Sequence, residues 1–277
     1  LGAKMSLYVL ATDKVSKEWT EKWVNKGHEI SDHPDDTREA GNPSWKNMDM
    51  AIKTRNEELQ TKFDLTMETI VNHWFVWCGM DSTGVQDFIA QAKIEVNNGI
   101  EMDCNYAHYD NNSSFGHFLG TLGYNQGNYT GSGLPMKFSD VNGQVINIYQ
   151  VLTNVYDQQY MENKDYKGFF MCFKGLMDRS LSGQTYSYIS IKAHNDEYWF
   201  SKDPLSKMLT YANEEGIPVW TAKKLLGFLK AKDEAEFKGI TWSENQLFFQ
   251  IKSGLSHSSE LSFMVPFTYS GREVKKM

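Results

Sequence analysis

The stretch Gly27-His28-Glu29-Ile30-Ser31-Asp32-His33 decides how the chain is read, because it sets an imidazole just past a short apolar strand. Before it, Lys4 to Ala11 (KMSLYVLA) has the apolar run of a buried strand. Ser16 to Lys26 (SKEWTEKWVNK) has the apolar spacing of an amphipathic helix that starts at a Ser cap, and Gly27 ends it. Strand, helix and a second strand closing at His33 predict an α/β chain.

Working outward, further segments end in polar residues of the same kind. Thr69-Ile70-Val71-Asn72-His73-Trp74 runs out of a strand-like segment, and Gly99-Ile100-Glu101-Met102-Asp103 leads onto another. Tyr188-Ile189-Ser190-Ile191-Lys192-Ala193-His194 alternates apolar and polar residues and ends in a histidine. Ile217-Pro218-Val219-Trp220-Thr221-Ala222 is expected as a final strand, with a closing helix over Lys223 to Lys230. Asp81 to Asn98 predicts a helix with Phe88, Ile89, Ala92 and Val96 on its apolar side, ended by Gly99. Arg38 to Lys62 is polar, holds Gly41-Asn42-Pro43 and then a helical pattern, and is expected to pass over the active face.

The long stretch from Tyr106 to Pro135, rich in Gly, Asn and Tyr, is expected to face substrate. Within it, Gly127-Asn128-Tyr129-Thr130-Gly131-Ser132-Gly133 is no phosphate loop, since it lacks the Lys-Ser/Thr and leads into no helix. Asp140-Val141-Asn142-Gly143-Gln144 predicts a hairpin turn, with Val145 to Gln150 as the second strand. The character changes near Asp233: Trp242 to Ile251 reads as strand, turn, strand, and Leu261 to Phe267 as a further β segment. The expected organisation is therefore a main domain over 1–232 and a small β extension over 233–277.

Composition narrows the function. Acidic residues exceed basic ones to give a net charge of −7, which disfavours a phosphate backbone and hence nucleic acid as partner. There is no apolar run of membrane-spanning length and no charged-then-apolar leader, so a soluble mature form without a membrane span is expected. Cys78, Cys104 and Cys172 are odd in number and widely spaced, which suits buried thiols better than a disulfide framework or a zinc knuckle. Trp74, Trp77, Tyr106, Tyr109, Tyr124, Tyr129, Tyr198 and Trp199 stand among polar residues, a mixture that stacks on sugar rings and satisfies their hydroxyls. Most such rings nevertheless serve packing, so only a cluster of them carries weight.

The order strand, helix, Gly-His-Glu-Ile, His33, followed by the strand ending at His194, resembles the polysaccharide deacetylases of the NodB type, carbohydrate esterase family 4, over roughly residues 1 to 230. The resemblance implies a distorted (β/α) barrel with a small C-terminal β extension. It implies a metal-dependent hydrolase that removes N- or O-acetyl groups from a polysaccharide or oligosaccharide, and a secreted, periplasmic or cell-surface location in a bacterium. The metal implied is divalent, zinc in the first instance, with His33 as a ligand. The family's second histidine falls on Thr37, so Asp35 or Asp36 is expected in its place, and a third ligand from a strand that would precede Leu1. His194 is expected to protonate the leaving group and Asp103 to orient a catalytic group or bind a sugar hydroxyl. His73, Trp77, Tyr106 and Trp199 are expected to bind substrate. The family's Arg-Pro-Pro-Tyr motif is absent, and Asn72-His73 stand nearest its place. Two alternatives stay open: a degenerate, glycan-binding member of the same scaffold, and a glycoside hydrolase using paired carboxylates, for which the sequence offers no evident pair.

Overall fold

The computed structural model describes residues 2–35, 43–107, 133–161, 163–183, 187–253, 261–263, 268–269 and 272–273. The chain divides into two compact units, Leu1–Lys223 and Lys224–Met277. In the first, β1 (Ser6–Val9) leads to α1 (Lys17–Asn25), whose Ser16 cap accepts a hydrogen bond from the Trp19 backbone at 3.1 Å. Gly27 stops the helix at φ 82°, a conformation open to glycine at little cost, and β2 (Glu29–Asp32) follows, parallel to β1. Then come α2 (Trp45–Phe63), β3 (Thr69–Ile70), α3 (Ala90–Asn97), β4 (Met102–Ala107), β5 (Met136–Ser139) and β6 (Val145–Tyr156). The short α4 (Gln158–Met161), α5 (Tyr166–Leu181), β7 (Ser190–Lys192) and α6 (Tyr198–Glu214) follow, and α7 (Ala222–Glu234) starts on the last two residues of the first unit and belongs otherwise to the second.

The fold is mixed α/β, as expected. The sheet runs β1-β2-β3-β4-β6 with every neighbour parallel. β6 is shared along its length: β5 pairs antiparallel near its start, and β7 pairs parallel with Thr153, Val155 and Tyr156 near its end. Parallel strands need crossovers, which the helices supply, and they bring the carboxyl ends of β2, β3, β4, β6 and β7 to one edge.

Two apolar clusters hold this frame. Met48, Ile52, Leu59 and Phe63 form one stripe of α2 and bury against Ile70, Ile94, Ile100 and Ile148. Phe169, Phe173 and Met177 of α5 meet Phe200, Met208 and Ala212 of α6 and Val155 of β6. At the amino ends of the strands, Glu29 accepts from Thr69 Oγ1 at 2.6 Å, from Ser6 Oγ, and from the Lys223 backbone N–H at 2.9 Å. Ser6 Oγ in turn accepts from the Ala222 N–H at 2.7 Å, so the glutamate of Gly-His-Glu-Ile and its Ser6 partner satisfy two backbone N–H groups at the end of the first unit.

Three expectations change. The helical part of Arg38 to Lys62 is α2, a crossover that fills the core and not an excursion over the site. The helix expected over Asp81 to Asn98 begins only at Ala90. Asp81 Oδ1 accepts from the Thr83 N–H at 2.8 Å and the Val85 N–H at 3.0 Å, a turn that competes with a helical start, and Phe88 is left 76% exposed. Ile217 to Ala222 forms no strand: Pro218 lacks the N–H a ladder needs, while Ile217 and Val219 pack against the α5–α6 cluster.

In the second unit, β8 (Glu236–Ser243) and β9 (Gln246–Lys252) form an antiparallel hairpin. Its turn residues Glu244 and Asn245 both have left-handed φ, 50° and 61°, which matches the twist of a tight hairpin. Of the β segment expected over Leu261 to Phe267, 261–263 is not strand and 264–267 lies outside the described residues; β10 (Thr268–Tyr269) pairs with β11 (Arg272–Glu273). Among the described residues no helix is long and apolar enough to cross a membrane.

Candidate functional site

The carboxyl edge of the sheet gathers polar groups from four strands: His33 follows β2, His73 comes three residues after β3, Asp157 follows β6, and His194 comes two residues after β7. The His33 and His73 rings meet edge-on with centroids 5.2 Å apart. Their two loops are tied by the His73 N–H donating to the Pro34 carbonyl at 2.9 Å. Trp74 and Phe75 adopt left-handed φ, 58° and 53°, at a cost on the order of 1–3 kcal/mol each for bulky residues. Asn72 offsets part of that: its carbonyl accepts the Phe75 N–H at 3.0 Å and its side-chain amide donates to the Val76 carbonyl at 2.8 Å. The tight loop brings Phe75 onto the Tyr156 ring, with centroids 5.5 Å apart.

Each of the three imidazoles is oriented through Nδ1. His33 Nδ1 lies 2.5 Å from the Val71 carbonyl, which can only accept, so this nitrogen carries the proton and Nε2 the lone pair. Burial, then the charge of Lys192, hold the His33 imidazole neutral with a pKa of about 3, and His73 and His194 act in the same direction. His73 Nδ1 lies 3.0 Å from Asp35 Oδ1. His194 Nδ1 lies 2.8 Å from Asp157 Oδ1.

Asp157 is fully buried. Its Oδ2 accepts from the His194 backbone N–H at 2.7 Å and from Ser201 Oγ at 2.9 Å. Burial works against its charge, but the hydrogen bonds from His194 and Ser201 and the His194 charge outweigh it and hold the carboxyl below its ordinary range. A charged Asp157 fixes the Nδ1–H tautomer of His194 and steadies the imidazolium when it forms, the role of the acid in a hydrolytic triad. Lys192, two residues before His194 on the same face of the strand, places its ammonium 3.8 Å from the Phe75 ring centroid and 5.5 Å from that of Tyr156. Burial pulls its pKa down to about 8, with the Asp157 charge opposing.

The structure thus brings together His33, His73, Asp35 and His194 among the residues expected at the site. Asp103 lies elsewhere, fully buried within β4. Its carboxyl interacts electrostatically with that of Glu95, while Gln91 Nε2 donates to Glu95 Oε1 at 2.7 Å and the Asn105 N–H to Asp103 Oδ1 at 2.5 Å. Asn105 Oδ1 accepts from the Asn72 N–H, so this pair braces the loop that carries His73. Trp77 donates from Nε1 to the Phe88 carbonyl at 3.0 Å and packs on Phe138, and Trp199 is 56% exposed with Nε1 on Glu197. Tyr106 belongs to β4; Asp36 and Thr37 lie outside the described residues, as does most of Tyr106 to Pro135.

Two members of the cluster were missed in the sequence. Asp157 was lost because its strand was expected to end at Gln150, whereas β6 runs on to Tyr156. Lys192 shares the polar face of the segment Tyr188 to His194, and the alternation of that segment was signal enough to find it.

Of the ligands expected beside His33, Asp35 is described and Asp36 lies outside the described residues. Among the described residues no group of three or more His, Cys, Asp or Glu side chains is placed to hold a metal ion. Asp35 is engaged by His73, and the ammonium of Lys192 raises the cost of bringing a second cation to His33.

No family model matches the chain, and no curated protein matches it. Among solved structures, it is similar to a CE4-family pseudoenzyme from Bacillus anthracis at 9% identity and TM-score 0.44, covering 81% of this chain and 56% of that one. It is similar to the Xyl-CE4 domain of a multidomain xylanase from the hindgut metagenome of Trinervitermes trinervoides at 8% identity and TM-score 0.46, covering 81% and 77%. It is also similar to a family 4 acetyl xylan esterase from Clostridium thermocellum, in complex with a cobalt ion, at 10% identity and TM-score 0.40, covering 83% and 79%. The chain spans a little over half, 56% or 57%, of the Bacillus anthracis protein in its wild-type and mutant forms. With TM-scores no higher than 0.46, the likeness is too loose to carry function.

Proposed function

We propose that the protein is a carbohydrate-acting hydrolase that removes acyl groups, acetyl in the first instance, from a polysaccharide or oligosaccharide. The observation that carries the reading is the buried Asp157 bonded to His194 at the carboxyl edge of a parallel sheet, together with the sequence resemblance of the Gly-His-Glu-Ile and His194 segments to polysaccharide deacetylases. In this reading Asp157 keeps the Nδ1 of His194 protonated, so Nε2 takes a proton from water as its oxygen adds to the acyl carbonyl carbon. The tetrahedral oxyanion then collapses and expels the sugar alcohol or amine, to which His194 returns the proton. The acid released loses its own proton to solvent, and the enzyme is regenerated. His73, oriented by Asp35, and the exposed Trp74 beside it line the approach and suit contact with a sugar ring. A divalent metal, zinc by resemblance, belongs to the family's chemistry; His33 and Asp35 are the described residues that would hold it, and no step is assigned to it.

The test is acetate release from acetylated xylan, an ester, and from N-acetylglucosamine oligomers, an amide, by the wild type and by His194→Ala and Asp157→Asn. Release that falls by about 100-fold or more in both variants is the expected result. No release from either substrate class by the wild type sinks the reading. The second reading, a glycan-binding protein without turnover on the same scaffold, is favoured by one observation: Thr37 stands where the resembled family has its second histidine. Saturable glycan binding without release would put it first.

A further inference from the structure

The ammonium of Lys192 is the one charge in the cluster that the described residues leave without a counter-ion. Asp35 is taken by His73 Nδ1. Asp157, whose charge Lys192 feels, is taken by His194 Nδ1, the His194 and Gln158 backbone N–H groups and Ser201 Oγ. Among the described residues Lys192 Nζ has no hydrogen-bond or ion-pair partner, only the faces of Phe75 and Tyr156. Ring faces stabilise a cation without satisfying its N–H donors, and a half-buried ammonium with unused donors favours an anion. His33 adds no positive charge there, because its ring is held neutral.

We propose that Lys192 is the anion anchor of the site and binds the carboxylate of a ligand beside His194. Two sources share this chemistry: the carboxylate released from an acyl group, and the carboxylate of an acidic sugar in the glycan itself. Lys192 is the last residue of β7, two before His194, and both lie against the Tyr156 ring, so an anchored carboxylate sits near the proton-handling group. The depressed pKa of Lys192 agrees with this, since desolvation without a counter-ion is what a bound carboxylate relieves. The inference rests on the reading of this cluster as a carbohydrate-acting site, yet direct binding reports on it without turnover.

The experiment titrates the full chain, with histidine rings isotopically labelled, with sodium acetate, sodium glucuronate and glucose at constant ionic strength. Both carboxylates should shift the ring signals of His33, His73 and His194 saturably, and glucose should not. In Lys192→Met the dissociation constant should rise by at least about tenfold. Lys192→Gln, which keeps length and polarity without charge, should do the same and serves if the Met variant does not fold. Glucuronate binding about tenfold tighter than acetate assigns the anchor to an acidic sugar; equal binding assigns it to the released acyl carboxylate. Absence of saturable shifts in the wild type, or equal affinity in the neutral variants, overturns the proposal. Carboxylate binding without acetate release would keep the anchor and remove the hydrolase reading.

Discussion

Two fully buried aspartates, one inside β4 and one just past the neighbouring parallel β6, have their carboxyls pushed in opposite directions. Asp157, just past β6, meets an imidazole, two backbone N–H groups and a hydroxyl, all able to donate, and its carboxyl is held low. Asp103, inside β4, meets a second carboxyl, Glu95, and burial pushes it up to about 7 while Glu95 is driven well above its usual range. Desolvation acts on both, and what differs is whether the donors opposite each carboxyl outweigh it. A carboxylate surrounded by donors stays ionised and can orient a catalytic base, whereas two carboxyls facing each other hold a shared proton and act as a brace.

The contrast can be broken most forcefully at Asp157. Asp157→Ala strips the acceptor from three N–H donors, those of the His194 ring and the His194 and Gln158 backbones, and from Ser201 in a buried setting, and should cost about 3 kcal/mol or more in urea unfolding. A loss below about 1 kcal/mol would mean that the carboxylate is not the hub of this network.

Asp103 tests the other side. A carboxyl raised from about 3.9 in the unfolded chain to about 7 in the fold binds its proton more tightly when folded. Its contribution is complete below the unfolded value and is lost as pH rises through the folded one. The melting temperature of the wild type should therefore fall between about pH 4 and pH 7, and Asp103→Asn, which keeps the size and needs no proton, should flatten that slope. An unchanged slope in the variant would place the pH dependence elsewhere. The smallest effect sharpens the boundary of the site: Trp199→Ala removes an exposed ring and should change stability by no more than about 0.5 kcal/mol in the same unfolding assay.

Much of this frame is legible in the sequence where the signal is local. The Ser16 cap, the stop at Gly27 and the strand before His33 are dictated by neighbours in the chain, and each stands where the spacing puts it. The reading fails where a side chain competes with the backbone, as Asp81 does, or where a proline interrupts an apolar run, as at Pro218. Asp103 shows a different limit. Its place on a strand is readable, but strand residues alternate between faces, and which face meets Glu95 depends on α3 packing behind β4.

By itself the sequence determined the α/β class and the positions of His33 and His194 near strand ends, because periodicity and capping are properties of adjacent residues. Only the tertiary structure decided that His194 takes Asp157, that Asp35 goes to His73, and that Lys192 is left facing aromatic rings with no counter-ion among the described residues. Those pairings join residues far apart in the chain. The charge each group carries follows from desolvation and from the donors opposite it, and these exist only once the strands are side by side.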